Sequence, residues 1–519
     1  MALNRSAAKP NVLIFCVDQM RADYLSCAGN PVVKTPNLDN LAARGTIFSR
    51  SYCSNPICMP ARATMFTGLL PRDHGLRTNG QFMRPGLPTL PGVLADSGYR
   101  THAAGKLHLT PWVPNINPPA PAQYPECLQY WNEGIIKKFP VPYYGFQTVD
   151  FVGGHTSYAY GDYIHWLSAQ GGDREMLAAR KTRKTPSAAP GCYQMALPEE
   201  LHYNRYIADS TIRLFAEVAQ AKKPFFAWCS FPDPHPPLAP PAPYGAMYNP
   251  KDIPLPRGRE GERRDLPAYY EQIIAGKKQN GAKVASGLPA DQLQEMMALT
   301  YGMITHIDHE IGRVLKALQE RGLADETMVV FLSDHGDMMG DHGLIGKGPF
   351  TFQGCIRIPT IVSAPGLSAG RLCPALISQI DLLPSILDYC AIPAPGSNWT
   401  TKDGHFTWGQ IQPLAVYPGK SWLKLLKGEL PVTRTAVVIE NNDLPTGYHI
   451  RCLVTEKHRL TIYPGTPDGE LFDLSNDPDE AHNLWYRPEA NALKNALIIE
   501  LLHEYSRQTP FYPVPPWNS

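Results

Sequence analysis

Two continuous apolar runs that each lead into an acidic residue constrain the fold of this chain more than any other feature. The first, NVLIFCV, covers residues 11–17 and is followed by Asp18. The second, MVVFL, covers residues 328–332 and is followed, after one serine, by Asp334. Short runs rich in branched residues are typical of strands buried on both faces of a parallel sheet.

Between these runs lies a helical pattern. Isoleucine, valine and leucine recur at spacings of three and four between about residues 290 and 320, and Arg321 and Gly322 close the pattern. Buried strands that alternate with amphipathic helices predict an α/β fold with a large, mainly parallel sheet. Ligands of such sheets bind beyond the carboxyl ends of the strands, so Asp18 and Asp334 predict a metal site at that edge.

A break near residues 391–420, rich in proline, glycine and tryptophan, indicates a boundary between two domains. A length of 519 residues is sufficient for one large domain and one smaller domain. Short alternating segments follow the break, and a helix is predicted from about residue 488 to 505. We therefore expect a large domain over residues 1–400 and a small C-terminal α+β domain over residues 401–519.

Two segments of the large domain are expected to be irregular insertions. Residues 110–165 are dense in proline, tyrosine and tryptophan, and residues 231–262 combine a proline-rich run with the charged sequence RGREGERR. Connections of this length without regular structure are usually functional or flexible. The aromatic residues of the first insertion could line a substrate pocket, or they could equally be ordinary loop packing.

Charge, hydropathy and cysteine content exclude several classes of protein. A formal net charge of +1 argues against a protein that binds nucleic acid or an acidic membrane, and no apolar run approaches the ~18 residues that span a bilayer. The N-terminal run ends at Asp18 without a cleavage site, so we interpret it as a strand rather than a secretory signal. Eleven cysteines without framework spacing favour thiols in a reducing cytoplasm. The apolar, proline-rich tail at residues 509–519 predicts docking on a neighbouring subunit, and hence a homo-oligomer.

The sequence Cys58-Met59-Pro60-Ala61-Arg62 is the sharpest chemical feature of the chain. A C-x-P-x-R sequence alone is weak evidence, because it occurs by chance in many proteins. Four further segments follow in the order in which one enzyme family carries them. They are TPNLDNLAARGTIF at 35–48, GKLH at 105–108, SDHGD at 333–337 with Lys347, and GELFDLSNDPDEAHNL at 469–484. Together the segments resemble the type I, formylglycine-dependent sulfatases of the alkaline-phosphatase-like superfamily, in the branch of arylsulfatases and phosphonate monoester hydrolases.

This resemblance implies a fold and a nucleophile. The fold would be an alkaline-phosphatase-like α/β/α sandwich with a smaller C-terminal domain that holds a short antiparallel sheet. In this family a separate maturation enzyme oxidises the motif cysteine, here Cys58, to Cα-formylglycine, and the aldehyde hydrates to a geminal diol. One hydroxyl attacks the sulfur of a sulfate ester, and the other then loses its proton and expels sulfate. A thiol has no neighbouring hydroxyl for the last step, so Cys58 is expected to be the precursor of the nucleophile.

The resemblance also implies a metal site formed by Asp18, Gln19, Cys58, Asp334 and His335. The family more often has a second carboxylate at the position of Gln19 and an amide at the position of His335. An amide oxygen and an imidazole nitrogen reduce the negative charge and hardness of the site. We expect a divalent cation, with calcium first and manganese second. Gln19 could instead support the ligands without binding the metal.

Five cationic or imidazole side chains are expected to act on the ester. By the same resemblance, Arg62 contacts the nucleophile and the sulfuryl group, and Lys106, His108 and Lys347 hold the remaining sulfuryl oxygens. Fixed positive charge at these oxygens would stabilise the transition state. His235, which stands between two prolines, corresponds to a family histidine that protonates the leaving group.

Three alternatives to an arylsulfatase remain open from the sequence. Phosphonate monoester and phosphodiester hydrolases share the C-x-P-A-R sequence and also have Asp-Gln and Asp-His metal pairs, but they carry neutral hydroxyl residues at the positions of Lys106 and His108. These two residues therefore favour sulfate monoesters. Choline sulfatases share the same motif variant. A non-catalytic binding protein on the same fold is disfavoured, because such a protein would be expected to lose Cys58, Arg62 or a metal carboxylate.

Overall fold

The computed structural model describes residues 9–113, 121–181, 189–256, 266–268, 270, 282–284, 288–394, 417–443 and 447–507. Three features of the sequence analysis lie outside these residues: the RGREGERR run, the point at residue 400 where the two domains were expected to meet, and the proline-rich tail at 509–519.

Strands and helices alternate along most of the described chain. The strands are β1 (Asn11–Val17), β2 (Thr46–Tyr52), β3 (Arg100–Gly105), β4 (Thr148–Phe151), β5 (Arg180–Lys181), β6 (Gln194–Met195), β7 (Phe225–Phe231), β8 (Ala282–Val284), β9 (Thr327–Ser333), β10 (Leu344–Gly346), β11 (Thr360–Ser363), β12 (Arg371–Ser378), β13 (Ala436–Asp443), β14 (Tyr448–Thr455), β15 (His458–Ile462) and β16 (Gly469–Asp473). The α-helices are α1 (Pro36–Ala43), α2 (Cys58–Thr67), α3 (Pro71–His74), α4 (Leu90–Asp96), α5 (Leu128–Asn132), α6 (Asp162–Ala169), α7 (Arg174–Ala178), α8 (Tyr203–Ala221), α9 (Ala290–Glu320), α10 (Gln353–Ile356), α11 (Leu382–Tyr389), α12 (Leu423–Leu426) and α13 (Asn491–Arg507).

The main sheet has eight strands in the order β12-β2-β11-β9-β1-β7-β3-β4. Only β11 runs antiparallel to its neighbours, and every other pair is parallel. In the centre, Ile14 of β1 pairs with Trp228 of β7 on one side and with Val330 of β9 on the other. The two apolar runs of the sequence are therefore adjacent central strands, as the expected mainly parallel sheet requires.

Alternate residues of β1 pack into two different cores. Leu13, Phe15 and Val17 join the core that contains α8 and α9, whereas Val12, Ile14 and Cys16 join the core that contains α2, α4 and α11. Successive side chains of a strand point to opposite faces of a sheet, so a strand that is apolar from Val12 to Val17 needs helices on both faces. The α/β/α sandwich expected from the family resemblance is confirmed. The helix predicted near residues 290–320 is α9.

The C-terminal part is a small α+β unit, also as predicted. Strands β13 to β16 form an antiparallel sheet in chain order, and α13 packs on it through Leu497 and Leu501. The predicted helix starts after a 3₁₀ turn at Pro488–Ala490 and ends at Arg507. Nearer the start of this part, Tyr417 and Trp422 pack into the core on the α2 side of the main sheet.

The first of the two expected insertions contains more regular structure than its composition indicates. Residues Thr148–Phe151 form β4, which pairs with β3 at the edge of the main sheet. This strand has four residues and no continuous apolar run, so it gives no recognisable pattern in the sequence. Within the described chain, no helix has both the length and the apolar character needed to cross a membrane.

Candidate active site

Four strands of the main sheet deliver polar residues to the same edge. Asp18 follows β1, Asp334 follows β9, Lys106 follows β3, and His235 lies four residues beyond the end of β7. Because these strands are parallel, their carboxyl ends meet at that edge. The backbone hydrogen bonds of the sheet continue past the ends of the strands: the Asp334 amide donates to the Val17 carbonyl, and the Lys106 amide donates to the Ser230 carbonyl.

The motif cysteine is the first residue of α2, a helix that is buried along its whole length. Arg62 lies one helical turn later, so it occupies the same face as Cys58. The loop before the helix is held by Gln379, whose Oε1 accepts from the Ser54 amide at 3.1 Å and whose Nε2 donates to the Asp334 carbonyl at 2.7 Å. This bridge sets the distance between α2 and the end of β9.

Cys58, Asp18, Asp334 and His335 form one buried cluster. Their ligand-type atoms all lie within 4.8 Å of one another. The Sγ atom of Cys58 is 3.7 Å from Oδ1 of Asp18 and 3.2 Å from Nε2 of His335. Arg62, which is fully buried, bridges the carboxylates with Nε 2.9 Å from Asp334 Oδ2 and Nη2 3.3 Å from Asp18 Oδ2.

Two lysines add positive charge beside this cluster. The ammonium of Lys106 contacts Oδ2 of Asp18, and Nζ of Lys347 is 2.7 Å from the Cys58 Sγ and 3.1 Å from Nε2 of His335. Burial alone would raise the pKa of Asp18, but Lys106 and Lys347 hold that pKa well below its usual value. Burial and Asp18 raise the pKa of the Cys58 thiol, yet the two lysines outweigh them and the pKa is lowered. A nucleophile at position 58 would thus be stabilised in its ionised form.

The residues at the cluster fit a divalent cation. Gln19 has a left-handed backbone (φ 63°), and its Nε2 donates to Asp337 Oδ2 at 2.5 Å while its buried Oε1 has no partner among the described residues. Nδ1 of His335 donates to the Gly336 carbonyl at 2.9 Å, which leaves the lone pair on Nε2. Two carboxylates, an orphaned amide oxygen and an imidazole nitrogen are a ligand set that hard and borderline cations accept. A left-handed glutamine is a strained residue of the kind found at functional sites.

His108 lies on an aromatic wall beside Lys106. Its ring stacks on Trp112 at 4.0 Å between centroids, and its buried Nδ1 has no partner in the described chain. The Lys106 ammonium lies 4.8 Å from the centre of the same indole ring. The backbone of His108 is left-handed (φ 57°) and its amide donates to Glu126 Oε2 at 2.6 Å.

His235 reaches the cluster through a second histidine. Its ring is stacked on that of His155 at 3.8 Å and 10°. Nε2 of His155 is 3.2 Å from Nζ of Lys106, and its Nδ1 is 3.2 Å from the Pro232 carbonyl. His235 itself donates from Nδ1 to the Pro236 carbonyl at 2.5 Å, so its Nε2 is the nitrogen that remains for chemistry.

The structure brings all ten residues predicted from the sequence to this edge. Eight of them are joined by direct polar contacts: Asp18, Gln19, Cys58, Arg62, Lys106, Asp334, His335 and Lys347. The other two, His108 and His235, join them through Trp112 and His155. Five further residues at this edge were not predicted from the sequence: Trp112, Glu126, His155, Asp337 and Gln379. Of these, only Asp337 stands inside a quoted motif, and the other four carry no spacing signal.

Comparison with known proteins identifies the family. The family model described as "Sulfatase" matches residues 10–392. The chain belongs to the sulfatase family. This sulfatase is 28% identical to an arylsulfatase of Clostridium perfringens over 95% of this chain and 94% of that protein. It is 29% identical to the multifunctional alkaline phosphatase superfamily protein PehA of Trinickia caryophylli, over 93% of each chain.

A solved structure supports the same assignment. The phosphonate monoester hydrolase of Agrobacterium radiobacter superposes on this sulfatase with a TM-score of 0.78 and 26% identity, over 97% of this chain and 96% of that chain. The family and enzyme class expected from the sequence are confirmed: the protein is a hydrolase of the sulfuric ester type. Among the described residues, the three buried cations Arg62, Lys106 and Lys347 pair with the two carboxylates of Asp18 and Asp334 at this site, and this excess of positive charge suits an anionic group.

Proposed function

We propose that this sulfatase hydrolyses sulfate monoesters, aryl sulfates in particular, to a phenol or alcohol and sulfate. The observation that carries the proposal is Lys106. Its ammonium is fully buried, and it donates one N–H to Asp18 and one to His155. Its third N–H has no acceptor among the residues that the structure describes, and it is therefore available for a substrate oxygen.

The number of cations distinguishes sulfate monoesters from diesters. A bound sulfate monoester presents three non-bridging oxygens, whereas a phosphonate monoester presents two oxygens and two organic substituents. Arg62, Lys106 and Lys347 offer one cation for each oxygen of a sulfuryl group. Preorganised positive charge in a site closed to water stabilises charge that develops on such oxygens. If Lys106 faced an organic substituent, its third N–H would stay buried without an acceptor.

The nucleophile is proposed to derive from Cys58 after oxidation to Cα-formylglycine by a maturation enzyme. The hydrated aldehyde supplies a hydroxyl that attacks sulfur and a second hydroxyl whose deprotonation releases sulfate. Nζ of Lys347 is 2.7 Å from Sγ, so the Lys347 ammonium would stabilise negative charge on the attacking oxygen at that position. His235 would protonate the leaving oxygen from Nε2 in its doubly protonated form, because in the neutral ring the one proton is on Nδ1 and is donated to the Pro236 carbonyl.

Asp18, Gln19, Asp334 and His335 are proposed to hold a divalent cation, with calcium preferred and manganese second. The support is the buried Oε1 of Gln19, which has no partner among the described residues, together with two buried carboxylates, of which Asp334 accepts from the Gln19 backbone amide at 3.0 Å. Such an ion supplies fixed positive charge that lowers the pKa of the neighbouring nucleophile. Arg62 keeps the two carboxylates paired, and its Nη1 is fixed by the Lys106 carbonyl and Ser230 Oγ, both at 3.0 Å.

Phosphonate monoester hydrolysis is the second candidate. The Asp18-Gln19 and Asp334-His335 pairs resemble that group, and the structural similarity to its Agrobacterium member favours it as well. The experiment is a direct competition with protein co-expressed with a maturation enzyme. Hydrolysis of 4-nitrophenyl sulfate and of an aryl phosphonate monoester is measured with and without chelator.

The proposal expects faster sulfate cleavage that is abolished by chelator and in Cys58→Ala. Lys106→Ala should lower kcat/KM for the sulfate ester by about 100-fold or more. Lys223→Ala, which removes an exposed lysine after α8, is the matched control and should not change it. Faster phosphonate cleavage would reverse the ranking, and an unchanged rate in Lys106→Ala would remove this lysine from the site.

Two further proposals concern the setting of the enzyme. The odd number of scattered cysteines supports a reducing, cytoplasmic location. The composition of the tail at 509–519 supports a homo-oligomer. Light scattering would test the second proposal: a form truncated before the tail should contain fewer subunits per assembly than the full chain.

A further inference from the structure

His155 arrives at the active site on a tightly built loop. Gly153 and Tyr160 exchange backbone hydrogen bonds of 3.0 and 2.9 Å, and the Tyr160 hydroxyl donates to the Glu126 carbonyl at 2.6 Å. Gly154 is left-handed (φ 73°), and a Cβ there would lie 2.2 Å from the Tyr158 carbonyl oxygen. The loop therefore requires glycine at that point, and it holds the following histidine in one place.

The hydrogen bonds of His155 determine its tautomer. A carbonyl oxygen can only accept, so the contact of 3.2 Å to Pro232 places a proton on Nδ1. In the neutral ring Nε2 is then an acceptor, and it faces an ammonium that can only donate, at 3.2 Å from Nζ of Lys106. The side chain is 8% exposed, and burial together with Lys106 holds its pKa well below the usual value. Both nitrogens are thus occupied without any role in proton transfer.

The face of the ring has a separate contact. His155 and His235 are stacked nearly parallel, at 10° and 3.8 Å between centroids, and Trp112 lies against His155 at 5.6 Å and 54°. A flat ring on one face of His235 restricts its tilt. The only other bond that fixes the His235 ring among the described residues is the one from Nδ1 to Pro236.

We propose that His155 is a positioning residue that serves both halves of the reaction, an inference that rests on the proposed function. Its Nε2 directs Lys106 so that the third N–H of the ammonium meets the ester group. Its ring face holds His235 in the plane from which Nε2 reaches the leaving oxygen. One side chain thus aligns the group that binds the acid part of the ester and the group that protonates the alcohol part.

The two roles use different parts of the imidazole and can be separated by substitution. His155→Phe keeps a flat ring but removes the acceptor for Lys106. His155→Gln keeps an oxygen acceptor but removes the ring. A hydrogen bond to a charged group is worth enough to change a rate by roughly 10- to 100-fold.

The first test uses a series of aryl sulfates whose phenols differ in acidity, from 4-nitrophenol to phenol. We expect His155→Phe to lower kcat/KM by about 10-fold or more and by a similar factor for every ester. We expect His155→Gln to lower kcat increasingly as the leaving phenol becomes less acidic, by about tenfold more for phenyl than for 4-nitrophenyl sulfate. His165→Phe and His165→Gln, at an exposed histidine of α6, are the matched controls and should match the wild type.

A purely structural residue would give a different result. It would lower the melting temperature and the activity of both variants without dependence on the leaving group, and that outcome would overturn the proposal. Values of kcat/KM within twofold of the wild type for all esters in both variants would do the same. If the enzyme prefers phosphonate esters, the same series is run with aryl phosphonates.

A second measurement does not depend on turnover. In the ¹⁵N spectrum of histidine-labelled protein, the signals that disappear in His155→Gln should show a neutral ring with the proton on Nδ1 at pH 7. A protonated ring or a proton on Nε2 would overturn the inference even if the enzyme is fully active. Loss of all ester hydrolysis together with the expected spectrum would instead contradict the proposed function and leave the assigned tautomer standing.

Discussion

Glu126 anchors the turn that carries His108, and its replacement gives a quantitative test of how rigid the site must be. The carboxylate is fully buried. It accepts hydrogen bonds from the amides of His108, Leu109 and Thr110 at 2.6, 2.7 and 3.2 Å, and from the Tyr143 hydroxyl at 2.7 Å. These bonds hold a turn in which His108 has an unfavourable left-handed backbone.

The perturbation is Glu126→Gln, which preserves the shape of the side chain. An amide has one acceptor oxygen, so its NH₂ group must face a donor and at least one of the four bonds is lost. Hydrogen bonds to charged groups contribute about 1.5–3 kcal/mol each. That free energy corresponds to roughly a 10- to 150-fold shift from the ordered turn to a relaxed one. We expect kcat/KM for 4-nitrophenyl sulfate to fall by about the same factor.

The assay compares steady-state kinetics and urea unfolding of Glu126→Gln with those of Glu133→Gln. Glu133 is exposed in the same segment, and its side chain accepts a hydrogen bond from Gln129 Nε2 at 2.8 Å, so it controls for the change of charge. Activity of Glu126→Gln within twofold of the wild type would refute the reasoning, because the turn would then hold His108 without the carboxylate.

Three other predictions follow from buried groups. Arg62→Met leaves Asp18 and Asp334 without their shared guanidinium. The free energy of unfolding in urea should therefore fall by about 3–5 kcal/mol in the presence of chelator, and by less when calcium is present. An equal loss of unfolding free energy with and without calcium would contradict the cation site. His74 has its pKa lowered to about 3, chiefly by burial, so the unfolded chain binds its proton first as the pH falls below about 6.5. Stability should therefore drop by about 2 kcal/mol between pH 7 and 5 through this residue, and His74→Asn should lack that component in urea titrations at the two pH values. Gln19→Leu should weaken calcium binding about tenfold or more in calorimetry, and an unchanged affinity would show that its amide only supports the ligands.

The centre of the fold and the metal cluster could be predicted from the sequence for one physical reason. Strands buried on both faces must be continuously apolar, so β1 and β9 stand out in the chain. Parallel strands end at one edge, so the sequence predicts that Asp18 and Asp334 lie close together, and in the structure Arg62 bridges them. Cys58 and Arg62 were predicted from the family resemblance, and their place on one face of α2 is a finding of the structure.

The residues that support the site could not be predicted in the same way. His155 depends on a four-residue edge strand and on a glycine turn, neither of which produces a periodic pattern. Glu126 is a buried carboxylate whose partners are backbone amides sixteen to eighteen residues earlier, and backbone donors leave no trace in a sequence. Such positions are determined by tertiary packing alone.

The chemical state of residue 58 determines whether the proposed nucleophile exists. The direct measurement is the intact mass of the peptide that contains it, across preparations with different levels of maturation enzyme, together with kcat for 4-nitrophenyl sulfate in each. Conversion of the thiol to the aldehyde lowers the mass by about 18 Da. We predict that kcat rises in proportion to the converted fraction and extrapolates to zero for unconverted protein. Full turnover in a preparation whose Cys58 peptide retains the thiol mass would contradict the account.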